Sequence, residues 1–335
     1  MSDYMEEDRS REFINTAIAI SDAVGAGASP NDPEVIALLN SIVNDFDVTP
    51  LVGTPGADRI FVHDTPLSYT NGLGGPDRIV GTDGTDVIIG GAGSDTLFGG
   101  LGDDALFGGN QSDTLYGNAG DDVLRGGRGG DRLFGGNGDD FLEGGGGFDR
   151  LDGGTGNDVV FGGDGRDVLF GGLGNDEVGG GAGNDRVFGG AGNDFINGDA
   201  GNDQVRGGNG DDFVLGGSGD DILEGGSGHD IFLFDPSNRN EGDDIILDFT
   251  LGEDRIGLYA EDILASTPDL ANADGDPEFS AADLDASLAW ALSEASEGGV
   301  LLVTHPGGTI EVGGVAFDEA LTFELLVDLG AVAVL

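Results

Sequence analysis

Residues 117–161 read GNAGDDVLR GGRGGDRLF GGNGDDFLE GGGGFDRLD GGTGNDVVF, five consecutive blocks of nine. The same frame runs from Gly72 to Leu233 in 18 blocks, without insertion or deletion. Position 1 is Gly in all 18 blocks, and position 4 is Gly in 17, with Gln111 the exception. Position 6 is Asp in all 18, and position 8 is apolar in all 18, from Ile79 to Phe232. A period this strict marks a repeat architecture, in which no single unit buries its own apolar face and stacking is compulsory.

The glycines at positions 1, 2 and 4 are expected to take dihedrals closed to residues with a Cβ, so that the first six residues bend tightly. The last three residues have the β-branched, aromatic or aliphatic character of a short strand. One obligatory apolar position gives one buried face per strand. Two blocks then make one coil, with strands on opposite sides and both position-8 side chains in a thin core. Nine coils at roughly 4.8 Å give a rod about 40 Å long. The expected fold class is an all-β solenoid, a parallel β-roll of about nine to ten coils.

In such a roll the bends fall into two columns, each carrying an aspartate every coil. Carboxylates stacked about 5 Å apart repel one another unless a cation lies between them. Turn carbonyls add oxygen ligands, and no Cys or His recurs in the blocks. An all-oxygen site of irregular geometry favours Ca²⁺ over Mg²⁺. The expected metal ligands are Asp86, Asp95, Asp104, Asp113, Asp122, Asp131, Asp140, Asp149, Asp158, Asp167, Asp176, Asp185, Asp194, Asp203, Asp212, Asp221 and Asp230. Nine bends per edge leave eight gaps, so 2 × 8 = 16 ions is the ceiling.

The block GGxGxDxUx resembles the RTX, or haemolysin-type, calcium-binding nonapeptide, and the resemblance covers about half the chain. It implies a parallel β-roll with Ca²⁺ between successive bends on each edge, and export through type I secretion machinery. A disordered Gly/Asp-rich linker would share the composition, but it has no reason to hold an apolar residue at every ninth place.

The two edges differ. One carries DGT, GDD, GND and GHD bends around Asp86, Asp104, Asp122 and their successors to Asp230. The other is interrupted by Pro76, Gln111, Gly130, Phe148 and Arg166 and becomes regular only from Asn184. The first edge is therefore expected to be better filled, and Gln111 to be strained.

The net charge of −51 comes with 13 basic residues, all Arg. So acidic a surface argues against nucleic acid and anionic membranes as partners. The blocks alone hold 30 acidic residues and 8 Arg, a net −22, so self-repulsion is expected to keep them unfolded without calcium. With no Cys there is no disulfide framework. The N-terminus MSDYMEEDRSREF does not read as a Sec signal peptide, and no run is apolar and long enough to span a bilayer.

Three regions follow: a helical N-terminal cap over 1–52, the β-roll over 53–233, and a small mixed α/β C-terminal region over 234–335. The first region shows two apolar stripes, Phe13 to Ile18 and Val35 to Phe46, expected to be helices. GTPGADRIF (53–61) is a separated nineteenth block, and with the longer block VHDTPLSYTN it reads as a degenerate first coil, Asp58 being a marginal ligand.

After the roll, FLFDPSNRNEGDDIILDFTLGEDRIGLY reads as strand, loop, strand, turn, strand, similar to the segment that ends many such rolls. GVLLVTHPGGTIEVGGV reads as a hairpin, and LTFELLVDLGAVAVL as the candidate export signal. Asn272, Asp274, Asp276 and Asp283 fall at loop positions 1, 3, 5 and 12 of an EF-hand between helix-like flanks, AEDILAS and ADLDASLAWALSEA. Pro277 replaces the turn glycine there and Asp283 replaces the bidentate Glu, so an acidic helix N-cap loop stands as the other reading.

Positions 7 and 9 are expected to face outward. One sheet would then show Phe98, Tyr116, Phe134, Phe170 and Phe188, beside Arg132, Arg150 and Arg186. The other would show Val87, Val123, Phe141, Val159, Phe195, Phe213 and Ile231. Such ladders suit either cover by the terminal segments or a docking face for self-association or a protein partner.

No catalytic constellation is recognisable. The three histidines, His63, His229 and His305, form no HExxH, no GxSxG elbow occurs, and there is no Lys to acylate. The chain is expected not to be an enzyme. The leading expectation is a secreted calcium-binding protein with a structural or interaction role. The alternative is the calcium-folding and export module of an enzyme or toxin whose catalytic part is missing.

Overall fold

A computed structural model describes residues 51–62, 67–234, 242–250, 253–258, 291–295, 300–305, 308–312 and 332–334. They fall into two compact units divided between Val168 and Leu169. Among the described residues there is no helix, and each unit is an all-β parallel solenoid.

In the first unit, strands alternate between two sheets. One holds Leu51–Val52, Leu67–Asn71, Thr85–Ala92, Ala105–Asn110, Val123–Arg128, Phe141–Gly147 and Val159–Gly165. The other holds Arg59–Phe61, Arg78–Val80, Thr96–Leu101, Thr114–Ala119, Arg132–Asn137 and Arg150–Thr155. Inside the repeats each strand pairs with the one two blocks on: Leu115 lies between Leu97 and Leu133, and Leu124 between Leu106 and Leu142. The degenerate first coil is present. Ile60 pairs with Ile79, a step one longer than two blocks of nine, because VHDTPLSYTN carries a tenth residue.

Strand alternation explains the core. Positions 6, 8 and the following position 1 point inward together, while 7 and 9 point away. Leu97, Leu106, Leu115, Leu124, Leu133 and Leu142 are fully buried, and Asp104 and Gly108 are buried beside them. On the outer face Phe98, Tyr116 and Phe134 stack with ring centroids 4.9 and 5.0 Å apart, and Arg78 lies 4.2 Å from the Phe98 centroid. The other sheet departs from expectation at its first strands, where Val87, Ala105 and Phe107 are buried.

The second unit repeats this scheme. Val187, Ile196, Val214, Leu223 and Phe232 fill position 8 with no exposure, and Phe170 stacks on Phe188 outside at 4.9 Å. The solenoid pairing runs on past the last nonapeptide. Ile222–Ser227 pairs in parallel with Gly242–Ile246, and Ile231–Phe234 with Arg255–Leu258. Of the expected strand, loop, strand, turn, strand order the three strands are present and the loop lies outside the described residues; the Glu253 and Asp254 N–H groups donate to the Thr250 carbonyl at the turn. Beyond it Gly308–Val312 pairs with Gly242–Ile246, and Val332–Val334 with Arg255–Leu258.

The expected hairpin is present, Val300–His305 running antiparallel to Gly308–Val312. One expectation is overturned. The stretch read as a helix-like flank ends in a strand, Ala291–Ala295, paired antiparallel with Val300–His305. Pairing with an available sheet edge overrides local helix propensity there. The helical cap lies outside the described residues except for Leu51–Val52, which is strand. The EF-hand-like loop lies outside them altogether.

Candidate metal centre

All 17 aspartates expected as ligands are buried, none more than 3% exposed. The inward position-6 carboxylates form ladders along each bend column. In the first unit the Asp95 N–H donates to Asp113 Oδ1 at 2.7 Å, Asp113 to Asp131 at 2.7 Å, and Asp131 to Asp149 at 2.7 Å. On the opposite edge Asp86, Asp104 and Asp122 donate to Asp104, Asp122 and Asp140, each at 2.8 Å. In the second unit Asp194 donates to Asp212 at 2.9 Å and Asp203 to Asp221 at 2.7 Å. The ladder therefore runs on both edges of each unit, through the Gln111, Gly130 and Phe148 bends as well.

Each ladder bond uses Oδ1 alone. The Oδ2 atoms of Asp95, Asp104, Asp113, Asp122, Asp131, Asp140 and Asp149 are buried without a donor in the first unit. Those of Asp194, Asp203, Asp212, Asp221 and Asp230 are the same in the second. A buried carboxylate oxygen left without a partner costs several kcal/mol as an order of magnitude. Repeated at this frequency, the cost calls for a positive charge.

The glycine at position 1 faces this oxygen. A Cβ added to Gly108 would stand 2.6 Å from Asp113 Oδ2 and 2.7 Å from the Gly126 carbonyl oxygen of the next coil. At Gly126 the same distances are 2.5 Å to Asp131 Oδ2 and 2.7 Å to Gly144 O. A carboxylate and a carbonyl from adjacent coils thus flank one gap that only glycine leaves open. Position-1 glycine is required for space. Backbone conformation requires it at positions 2 and 4, where φ is positive (Gly127 +105°, Gly129 +150°). Gln111 adopts φ +74° in such a place, as expected, and Leu73, Asn118 and Asp199 do so at position 2.

The charge state agrees. Burial, the largest cause, pushes the Asp95, Asp131 and Asp149 carboxyls up to about 6, Asp122 to about 7, and Asp113 and Asp140 to about 8. Asp104 is pushed up to about 10 by burial and then by the charges of Asp122 and Asp86. In the second unit burial raises Asp212 to about 7 and Asp203 to about 8. Left to themselves Asp104, Asp113, Asp140 and Asp203 keep their protons at neutral pH, and Asp122 and Asp212 are about half-protonated; a cation beside Oδ2 reverses that preference. Among the described residues no three His, Cys, Asp or Glu side chains converge on one point. The donor set is therefore carboxylate Oδ2 with backbone carbonyls, oxygen only, and it fits a hard cation such as Ca²⁺.

Three features escaped the sequence. First, position 5 forms an outer ladder of opposite sense: Asp103 Oδ1 accepts the Asp121 N–H at 3.0 Å, and Asp121 Oδ1 accepts Asp139 at 2.9 Å. Second, the inner ladder continues beyond the nonapeptides, Asp221 donating to Asp244 Oδ1 at 3.0 Å and Asp230 to Asp254 Oδ1 at 3.1 Å. The signals were GDDII and GEDRI, which keep the Asp two residues before an apolar position. Third, some ladder aspartates have protein donors on both oxygens. Asp86 Oδ1 accepts from Ser68 Oγ, and its Oδ2 accepts from the Thr82 N–H at 2.5 Å and Thr82 Oγ1 at 3.0 Å.

Comparison with protein families matches the RTX calcium-binding nonapeptide repeat over residues 71–106, 107–142, 143–178, 179–214 and 198–232. No curated protein matches the sequence. Among solved structures, the crystal structure of the extracellular lipase LipA from Serratia marcescens is similar at 16% identity and a TM-score of 0.27, over 79% of this chain and 42% of that one. The chain thus spans less than half of that lipase's length.

Proposed function

We propose, from the premise that residues 71–232 belong to the RTX calcium-binding nonapeptide family, that this chain is a secreted protein whose repeats fold on binding Ca²⁺ outside the cell. Its role is structural or one of interaction, with no reaction of its own. One observation carries the reading: the run of buried aspartate Oδ2 atoms without a donor, each facing a glycine-lined gap.

Calcium supplies positive charge at those gaps. The chain's residues do the rest. Oδ1 of each aspartate holds the N–H of the coil before it, Oδ2 and a position-1 carbonyl face the gap, and position 8 fills the core. A ligand that binds only the folded state stabilises it by RT ln(1 + [L]/Kd) per site, so many sites make folding steeply dependent on calcium. At micromolar calcium or below, the net −22 of the blocks favours an extended chain suited to type I export; at millimolar calcium the roll closes. The stacked outer aromatics, Phe98 to Phe134 in the first unit and Phe170 with Phe188 in the second, are each a surface on which a partner or a second copy would dock.

Calorimetric titration of the full chain tests this reading. Calcium should bind at several sites per chain while circular dichroism changes from coil to strand, and Mg²⁺ at equal concentration should be far less effective. Equal potency of the two ions, or no binding, refutes it.

A further inference from the structure

Asparagine precedes glycine four times in the chain, at 71–72, 137–138, 197–198 and 209–210. The pair is chemically labile, because the glycyl nitrogen attacks the asparagine Cγ with no Cβ to obstruct it. The N–Cγ bond forms, the Cγ–Nδ2 bond breaks, and the proton of the attacking nitrogen leaves with ammonia. Water then opens the succinimide ring at either carbonyl, giving aspartate or isoaspartate.

The fold treats all four pairs alike. Each asparagine is the last residue of its strand: Leu67–Asn71, Arg132–Asn137, Phe195–Asn197 and Gln204–Asn209. Each pairs in register with a residue one coil on, Asn71 with Ile89, Asn137 with Thr155, Asn197 with Leu215 and Asn209 with Ser227. The glycine that follows donates its N–H to the carbonyl of that same partner. Gly72 reaches Ile89 O, Gly138 reaches Thr155 O and Gly210 reaches Ser227 O, each at 2.8 Å, and Gly198 reaches Leu215 O at 3.0 Å.

The side chains are engaged as well. Asn137 Oδ1 accepts the Thr155 hydroxyl at 3.1 Å and Asn209 Oδ1 the Ser227 hydroxyl at 3.0 Å. Asn71 Oδ1 accepts the Leu73 N–H at 2.9 Å and Asn197 Oδ1 the Asp199 N–H at 3.0 Å. Asn137 and Asn209 are exposed, so water reaches them; what the roll withholds is the nucleophile. The glycyl N–H must give up its carbonyl, and the strand end its pairing, before that nitrogen can turn toward Cγ. Those bonds exist only between stacked coils.

We infer that the four Asn–Gly pairs are modification sites that folding shuts, and that the chain deamidates at them while it waits without calcium. The calcium dependence rests on the proposed function; the protection rests on the bonds between coils. Aspartate already stands at the place of Asn137 and Asn209 in other blocks, as Asp83 and Asp164, so isoaspartate is the damaging product. It adds a carbon to the main chain at a strand end whose register with the next coil is fixed. Time spent unfolded thus becomes an irreversible loss of folding competence.

The test holds the full chain in mildly alkaline buffer with calcium, with EGTA, or with EGTA and urea. Samples taken over days are digested and read by mass spectrometry, while circular dichroism records strand content. Asn71, Asn137, Asn197 and Asn209 should convert in urea and in EGTA, and about tenfold or more slowly in the calcium-loaded chain, where reaction awaits local opening. Equal rates in urea and in a strand-bearing calcium sample overturn the protection, and no conversion in urea overturns the sites. An EGTA sample that keeps its strand signal and reacts as slowly as the calcium sample supports the protection and refutes the proposed function instead. Returned to calcium, chains aged in EGTA should lose recoverable strand signal in proportion to their isoaspartate. Full recovery by chains that carry it overturns the claimed loss of folding competence.

Discussion

Asp121 and Asp122 are neighbours in sequence, each bonded to the matching residue one coil away, and the fold gives them opposite environments. Asp121 is solvent-accessible and accepts the Asp139 N–H at 2.9 Å. Asp122 is 1% exposed, accepts the Asp104 N–H at 2.8 Å, and keeps its other oxygen buried without a donor. The outer carboxylate is open to solvent and needs no buried partner, so the outer column tolerates Asn157 and Asn175, and on the second edge Ser112, Gly130, Phe148 and Arg166. The inner column is Asp in all 18 blocks. The same side chain is therefore decorative in one column and obligatory one residue later, and burial makes the difference.

The largest effect expected from that contrast is on the metal-free chain. Inner carboxyls have folded pKa values raised by burial, from about 6 at Asp95 to about 8 at Asp113 and about 10 at Asp104, against about 3.9 unfolded. A carboxyl raised on folding stabilises the fold fully below its unfolded value and ceases to do so as pH climbs through the folded one. Without calcium, strand structure should form near pH 4 and be lost on titration toward pH 8, followed by circular dichroism. Calcium should restore it at the upper end. No gain of strand in acid would break the contrast.

Next in size, Asp140→Ala should raise the calcium concentration at half-folding by about tenfold or more, tenfold being roughly 1.4 kcal/mol. A Cβ at position 1 probes the same gap from the other side. Gly126→Ala should cost about 1–3 kcal/mol by overpacking, read from urea midpoints in saturating calcium. Smallest is Asp121→Asn, whose amide oxygen still accepts the Asp139 N–H. It should fall within about 0.5 kcal/mol of wild type in the same urea series. A loss comparable to Asp140→Ala would erase the distinction between the columns.

Much of this was legible in the sequence because strand alternation converts spacing into facing. Asp at 6 and an apolar residue at 8 share a face, so the buried ladder and the core followed from the nonapeptide itself. The role of position-1 glycine did not. A dihedral reason covers positions 2 and 4, but the gap between Asp113 Oδ2 and Gly126 O depends on two coils being in contact. The edges also differ less than the motif suggests, since Phe148 and Gly130 interrupt only the outer ladder while Asp131 and Asp149 remain joined. Asp244 and Asp254 were missed because the steps to them are 23 and 24 residues, longer than two blocks of nine, and a period search loses the frame there. The short strand Ala291–Ala295 was misread because pairing with a distant segment decides its state.

The central claim is that cations beside buried, donorless carboxylate oxygens make the coils stack. Far-ultraviolet circular dichroism of the full chain at pH 7.5, after exhaustive dialysis against EGTA and again after adding millimolar calcium, tests it most directly. The account predicts a coil spectrum that becomes a strand spectrum with calcium and reverts with chelator. A strand spectrum that persists in EGTA, with no bound ion detected by mass, would contradict it.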